Sequence, residues 1–403
     1  MKRRIVRVLF VVAVLFAALA GATMFIATTG AGARWVLARI DAAAGGNLNW
    51  AQAEGTLMSG MRIADIAFDN GDSLVRIQRV EFAWQPWRLL DGSLVLDRVD
   101  IVGLRQQTRV ASEETMTEEQ LRDSLFGLPI AIELHALRAD DIQAMQPDGT
   151  MTRIDAVTGA AALDGDALTL SGVSVRQGDA QASGNLQLSS GLELSGDISW
   201  QLQLQGSAYA GTLALAGTLQ EPQVVHELQQ PLRATTSGTL VSGIFDGSMP
   251  SFNLQHELPL QSLAVFEQPD LQFGGNVSTS GTQDDVAIEG SAQAVVPGVE
   301  PLDLGFALTW RDAALTIREA SLTSPQIGLR GTGQLETTPL ALRFDWTLDA
   351  LDTGEQLPQL QLVDVRGDGS VQVFEASGEY SGSLQLNALT GTLNGYPLAI
   401  NGL

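Results

Sequence analysis

Between Leu186 and Ala208 apolar and polar residues alternate almost without error. Every second position from 192 to 208 reads Leu, Leu, Gly, Ile, Trp, Leu, Leu, Gly, Ala. The residues between are Glu193, Ser195, Asp197, Ser199, Gln201, Gln203, Gln205 and Ser207. A strand sends successive side chains to opposite faces, so this period of two predicts a sheet with one apolar and one wet face. The pattern recurs from Leu48 onward. Val75, Ile77, Val80, Phe82 and Trp84 alternate with one slip; Leu94, Leu96, Val99 and Ile101 slip at Asp97-Arg98. Such slips are expected at bulges or short turns. The positions predicted to line the apolar face are Leu168, Leu170, Leu186, Leu188, Leu192, Leu194, Ile198, Trp200, Leu202, Leu204, Leu213 and Leu215. In the C-terminal half they are Phe306, Leu308, Trp310, Phe344, Trp346, Leu348, Val371, Val373, Leu384 and Leu386.

Asp164-Gly165, Asp246-Gly247, Gly274-Gly275, Asp368-Gly369 and Asn394-Gly395 read as turns, the last two as tight hairpins. Consecutive hairpins make a meander. At roughly 12 residues per strand and turn, the body holds about 28 strands. An open sheet rarely exceeds about 10 strands without curling or splitting. The expected fold is therefore all-β: an elongated, curled antiparallel sheet forming an open, taco-like trough over residues 47–403, and a rod more than a globule. Ile400-Asn401-Gly402-Leu403 falls in mid-pattern, so more chain is expected beyond it.

Two stretches break the pattern. Residues 112–126 contain Thr117 and Gln120 at capping-box spacing, with Leu121 and Leu125 on one helical face; Pro129 follows. This predicts a short helix or lid inserted between strands. Near the N-terminus, Val8–Ala27 holds no charged residue and includes Val8, Leu9, Phe10, Val11, Leu15, Phe16, Leu19, Phe25 and Ile26. Twenty residues at ~1.5 Å each span a bilayer once. Lys2, Arg3, Arg4 and Arg7 precede the run, placing residues 1–27 as a cytoplasmic tip and single-pass transmembrane helix with the body outside. Ala18-Leu19-Ala20 also resembles a signal-peptide cleavage site; both readings export the body. Residues 28–46 read as an amphipathic helix capped by Thr29 and ended by Gly45-Gly46. Val36, Leu37, Ile40 and Ala44 form its apolar face. Trp35 with Arg34 and Arg39 suits a membrane surface; a helix plugging the end of the β core is the alternative.

Composition narrows the function. The 403 residues carry a net charge of −23, and the first 30 hold four bases and no acid. The body is thus strongly acidic and a poor nucleic-acid binder. Cysteine is absent, which excludes disulfides, thiolate zinc sites and cysteine nucleophiles. His135, His226 and His256 lack metal spacing and read as strand or surface residues. No nucleophile elbow, Walker loop or zinc-protease motif occurs. Asp164, Asp166, Asp364 and Asp368 read as turn residues more readily than as calcium ligands. The sequence gives no support to an enzyme, a metal site or a cofactor. A β-solenoid adhesin requires a strict short repeat, which is missing. A membrane barrel requires aromatic girdles, and there are 3 Tyr.

Residues 28–145 carry a further signal. Thr28-Thr29-Gly30 leads to Arg34-Trp35-Val36-Leu37, then Glu54-Gly55-Thr56-Leu57 and Met61-Arg62-Ile63. Next come Val75-Arg76-Ile77, Phe82-Ala83-Trp84-Gln85-Pro86 and Leu89-Leu90-Asp91-Gly92-Ser93-Leu94. Val99-Asp100-Ile101-Val102-Gly103-Leu104, Leu128-Pro129-Ile130 and Ile132-Glu133-Leu134 complete the ordered set. It resembles the N-terminal region of the TamB family, within the AsmA-like group. The resemblance implies an inner-membrane-anchored periplasmic protein of the bridge-like lipid transfer type, carrying phospholipid acyl chains toward the outer membrane. It also implies a link to outer-membrane protein assembly and secretion through a BamA-like partner, met by a C-terminal region that residues 1–403 do not include.

Overall fold

The computed structural model describes residues 28–43, 45–110, 117–263, 268–298, 300–337, 340–353, 361–376 and 379–402. The fold is all-β, and the chain divides into two compact units at Gln205/Gly206. The proposed transmembrane residues Val8 to Ile26 lie outside the described residues. Among the described residues, no helix is long and apolar enough to cross a membrane.

In the first unit helix α1 (Gly30–Ala43) precedes β1 (Leu48–Asn49), β2 (Gln52–Thr56), β3 (Gly60–Asp69), β4 (Ser73–Trp84) and β5 (Ser93–Thr108). Helix α2 (Glu118–Phe126) is followed by β6 (Ala131–Met145), β7 (Met151–Leu163), β8 (Ala167–Gln177), β9 (Ala180–Ser189) and β10 (Leu194–Leu204). The Thr29 hydroxyl caps α1 by accepting from the Gly32 N–H at 3.1 Å. Gly45 and Gly46, both at positive φ, terminate it. The buried side chains of Ala33 and Leu37 pack on Met61 and Ile63 of β3, with Trp50, Ala53 and Phe82 around them. Trp35 stays 51% exposed, with the Arg39 guanidinium stacked over its ring at 5.1 Å. One face of α1 thus plugs the sheet while another presents the aromatic–basic pair to solvent.

Most pairings are antiparallel, but β5 and β6 run parallel. This corrects the expected all-antiparallel meander. Parallel neighbours need a crossover longer than a hairpin turn, and the segment holding α2 supplies it. The expected capping box forms: Thr117 and Gln120 satisfy each other's backbone N–H groups.

The two slips in the pattern have different causes. At Asp97 the pairing shifts by one residue between Ala83 and Trp84, a bulge. At Gln78 the register is unbroken on both sides. There Asp65, Gly103 and Asp141 take positive φ at one level of β3, β5 and β6. Apolar residues switch from odd to even positions across this level: Met61 and Ile63 then Ile66 and Phe68; Leu137 and Ala139 then Ile142. In β3, β5 and β6 a left-handed residue resets the alternation, producing a crease that keeps both stretches on one face; Gln78 of β4 shares the level but is not left-handed.

The second unit contains β11 (Ser207–Gly217), β12 (Pro222–Gln230), β13 (Ala234–Val241), β14 (Ser251–Leu263), β15 (Gln268–Thr282), β16 (Asp285–Val295) and β17 (Leu302–Arg311). Then follow β18 (Ala314–Thr323), β19 (Ile327–Thr337), β20 (Leu340–Leu351), β21 (Leu362–Ala376), β22 (Glu379–Leu393) and β23 (Tyr396–Asn401). From β11 to β23 each strand pairs antiparallel with the next. The described residues form 23 strands instead of about 28, because many run 10 to 16 residues. Asp164-Gly165 and Asn394-Gly395 are turns as expected. Gly274-Gly275 and Asp368-Gly369 are not: both lie inside strands, β15 and β21.

Candidate functional site

Register alignment converts the alternation into continuous apolar rows running across the strands. In the first unit Ala53, Ile63, Val80, Ile101, Ala139, Val157, Val175, Ala182 and Trp200 stand opposite one another in succession from β2 to β10. Every member is apolar. In the second unit one row reads Leu215, Val224, Gly238, Leu254, Thr279, Ile288, Leu308, Ile317, Gly333, Phe344, Val371, Leu384. At ~4.8 Å per strand, its twelve positions extend roughly 50 Å along the sheet. The other faces of the same strands carry Gln255, Ser278 and Glu289, an ordinary solvated surface.

Most row members are half-buried. Among the described residues only ten hydrophobic side chains are buried outright. A two-layer fold buries its apolar face against another element. Here α1 covers part of the first unit's face, and most of the rows stay partly accessible.

Glycines shape this face. Phe306 stands opposite Gly290, Phe344 opposite Gly333, and Trp346 opposite both Gly331 and Gly369. A Cβ at Gly331 would lie 2.5 Å from the Phe344 ring, and one at Gly369 would lie 2.7 Å from the Trp346 indole. The missing side chains let the rings lie flat along the sheet.

The second unit's other row starts Leu213, His226, Thr236, His256, Val277, Gly290, Phe306. Two of the three histidines therefore share the apolar face, on β12 and β14 with Thr236 of β13 between them. The His256 Nδ1 lies 2.9 Å from the Thr236 hydroxyl, and its Nε2 lies 2.8 Å from that of Thr279. One nitrogen donates and the other accepts, so the neutral ring is fully satisfied. Burial pushes the His256 imidazole below its ordinary value. His135 is on the polar side of the first unit near Asp97 and Glu133.

The predicted lining residues fall as follows. Leu168 and Leu170 stand opposite Leu188 and Leu186, and Leu188 opposite Leu194. Ile198, Trp200 and Leu202 follow on the same face of β10. Leu213, Phe306, Leu308, Trp310, Trp346, Leu348, Val373 and Leu386 are half-buried strand residues. Three positions differ from the regular pattern. Leu192 is buried but sits in the β9–β10 turn at φ 59. Leu204 at the end of β10 is 52% exposed, and Leu384 is 64% exposed. The alternation does not run on to Ala208, because Gln205-Gly206 turns the chain and Ala208 is exposed on β11. The list misses Ile63, Val80, Ile101, Ala139 and Val157 of the first unit. The signal for Val80 and Ile101 was present in the β4 and β5 alternation.

The aspartates at the turns are engaged locally. The Asp164 carboxylate accepts from the backbone N–H groups of Asp166 and Ala167, both at 2.8 Å, which holds it below the usual carboxylate range. Asp364 pairs with Arg366, and Asp368 accepts from Asn387. Among the described residues no group of three carboxylates or imidazoles gathers at metal-binding distance.

Sheets whose largely apolar rows stay partly accessible define a class of protein that presents an extended apolar surface. Within that class, residues 19–177 match the family described as TamB, N-terminal domain, which supports a TamB-like assignment. No curated protein and no solved structure matches the chain.

Proposed function

We propose that the chain is a periplasmic bridge segment, anchored in the inner membrane by Val8–Ala27, whose apolar rows carry phospholipid acyl chains toward the outer membrane. The observation that carries this reading is the register-aligned row from Leu215 to Leu384, twelve positions with Thr279 as the one polar side chain. Transfer of a methylene from water to such a surface gains about 0.8 kcal/mol, so a C16 chain gains roughly 12 kcal/mol before entropy losses. Few polar groups interrupt the rows, so chains would be held without a fixed position and could slide. Headgroups would remain in water. The TamB-like assignment supports a membrane-associated envelope role, and such families are not enzymes.

A second reading, a scaffold for outer-membrane protein assembly with a BamA-like partner, is favoured by one feature. Strand β23 covers only Ala388–Leu393 of β22. Among the described residues, the stretch from 379 to 386 pairs with β21 alone, leaving an edge open to strand addition.

Mass spectrometry of lipids co-purifying with residues 46–403 separates the two. The lipid bridge predicts stoichiometric phospholipid of mixed acyl composition. Protein free of lipid, yet capturing unfolded outer-membrane strands, would favour the scaffold.

A further inference from the structure

We propose that Arg76 and Arg105 form a binding site for a phosphate-class oxyanion on the polar face of the first unit. The two residues stand directly opposite each other on β4 and β5, and both are exposed. Like charges in that position destabilise a sheet. Nearby arginines are neutralised: Arg62 and Arg79 by Glu81, Arg98 by Asp100, Arg109 by Asp69. Neither Arg76 nor Arg105 has an ion pair or hydrogen bond among the described residues, in a chain with 46 acids to 23 bases.

Two adjoining depressions share this arginine pair. One, about 220 Å³, is walled by the carboxamides of Gln107 and Gln143 and by Leu74, Met145 and Met151, and no carboxylate lines it. The other, about 280 Å³, has Asp65 on its wall. Asp69 also feels Arg76, but Arg109 holds both its oxygens, at 2.9 and 3.0 Å. Gln143 Nε2 already donates to Asp141 Oδ1 at 3.1 Å, so an oxyanion in the first depression would meet chiefly the two guanidinium forks and the Gln107 carboxamide. Guanidinium groups grip phosphate through paired N–H···O bonds. The exposed Met145 and Met151 beside them suit an anion that carries an apolar tail, and a lipid headgroup or free phosphate shares the chemistry.

The site lies on the opposite face from the apolar rows, so it stands whether or not those rows carry lipid. The test is calorimetric titration of the full chain in neutral detergent with inorganic phosphate and with a short-chain, water-soluble phosphatidylglycerol. Saturable binding is expected, weakened roughly tenfold by R76Q or R105Q through loss of a charge-assisted contact. R343Q in the second unit should leave it unchanged. Equal affinity for the two probes identifies free phosphate as sufficient. Tighter binding of phosphatidylglycerol identifies a headgroup held with the help of the methionines. Absence of saturation with both probes, or R76Q and R105Q binding as tightly as the unaltered chain, overturns the proposal.

Discussion

Leu308→Asp is expected to reduce phospholipid transfer by at least about tenfold while leaving the protein folded. Leu308 is half-buried at the middle of the second unit's row, between Ile288 and Ile317 on the neighbouring strands. A carboxylate there has no cation beside it in the row. Acyl chains passing it would strip its water, and burying an unpaired charge costs several kcal/mol. Each 1.4 kcal/mol is a factor of ten in population, so a single substitution suffices to block the path. Thr309→Asp points to the other face and should keep transfer within about twofold, because surface substitutions shift stability by only about ±0.5 kcal/mol. A reconstituted assay between donor and acceptor liposomes, with circular dichroism to confirm folding, compares the pair. Equal loss from both variants would mean the two faces are not functionally distinct.

Gly331→Ala is expected to destabilise the second unit by about 1–3 kcal/mol, the usual range for overpacking. Its added Cβ would lie 2.5 Å from the Phe344 ring and 2.5 Å from the Asp345 carbonyl oxygen. The ring and a neighbouring backbone would both have to move. Gly165→Ala in the β7–β8 turn adds a Cβ with no atom within 4 Å. It should be neutral or slightly stabilising, since it restricts the unfolded chain. Urea denaturation followed by tryptophan fluorescence measures both. A neutral Gly331→Ala would show that close ring-on-glycine contact is not needed to shape the apolar face.

These two substitutions also mark what the sequence could reveal. Period-two alternation is imposed by strand geometry, so the all-β fold was legible, as was the shared strand face of Leu186, Leu188, Leu194, Ile198, Trp200 and Leu202. Short-range signals were legible too: Thr117 with Gln120, Thr29, Gly45-Gly46 and Asn394-Gly395 act through backbone groups a few residues away. Pairing across strands was not. Gly369 looks like a hairpin glycine beside Asp368, yet an added Cβ there would meet the Gln385 carbonyl on one neighbouring strand and the Trp346 indole on the other. His226 and His256 are 30 positions apart and come into one row only through the registers of β12, β13 and β14. The parallel β5–β6 pair depends on where a crossover returns, which local pattern does not encode. The crease at Asp65, Gly103 and Asp141 looked like a bulge, because both reset the alternation and only the register separates them.

The central claim is that the apolar rows, and not the polar face, meet acyl chains. Site-specific photo-cross-linking in living cells tests it directly. A photoreactive residue is placed singly at Leu254, Ile288 and Leu308 on the row, and at Gln255, Glu289 and Thr309 on the other face; phosphate-labelled lipid adducts are then counted. The account predicts adducts at the three row positions and background at the three others. Adducts distributed equally over both faces, or confined to the polar one, would contradict it.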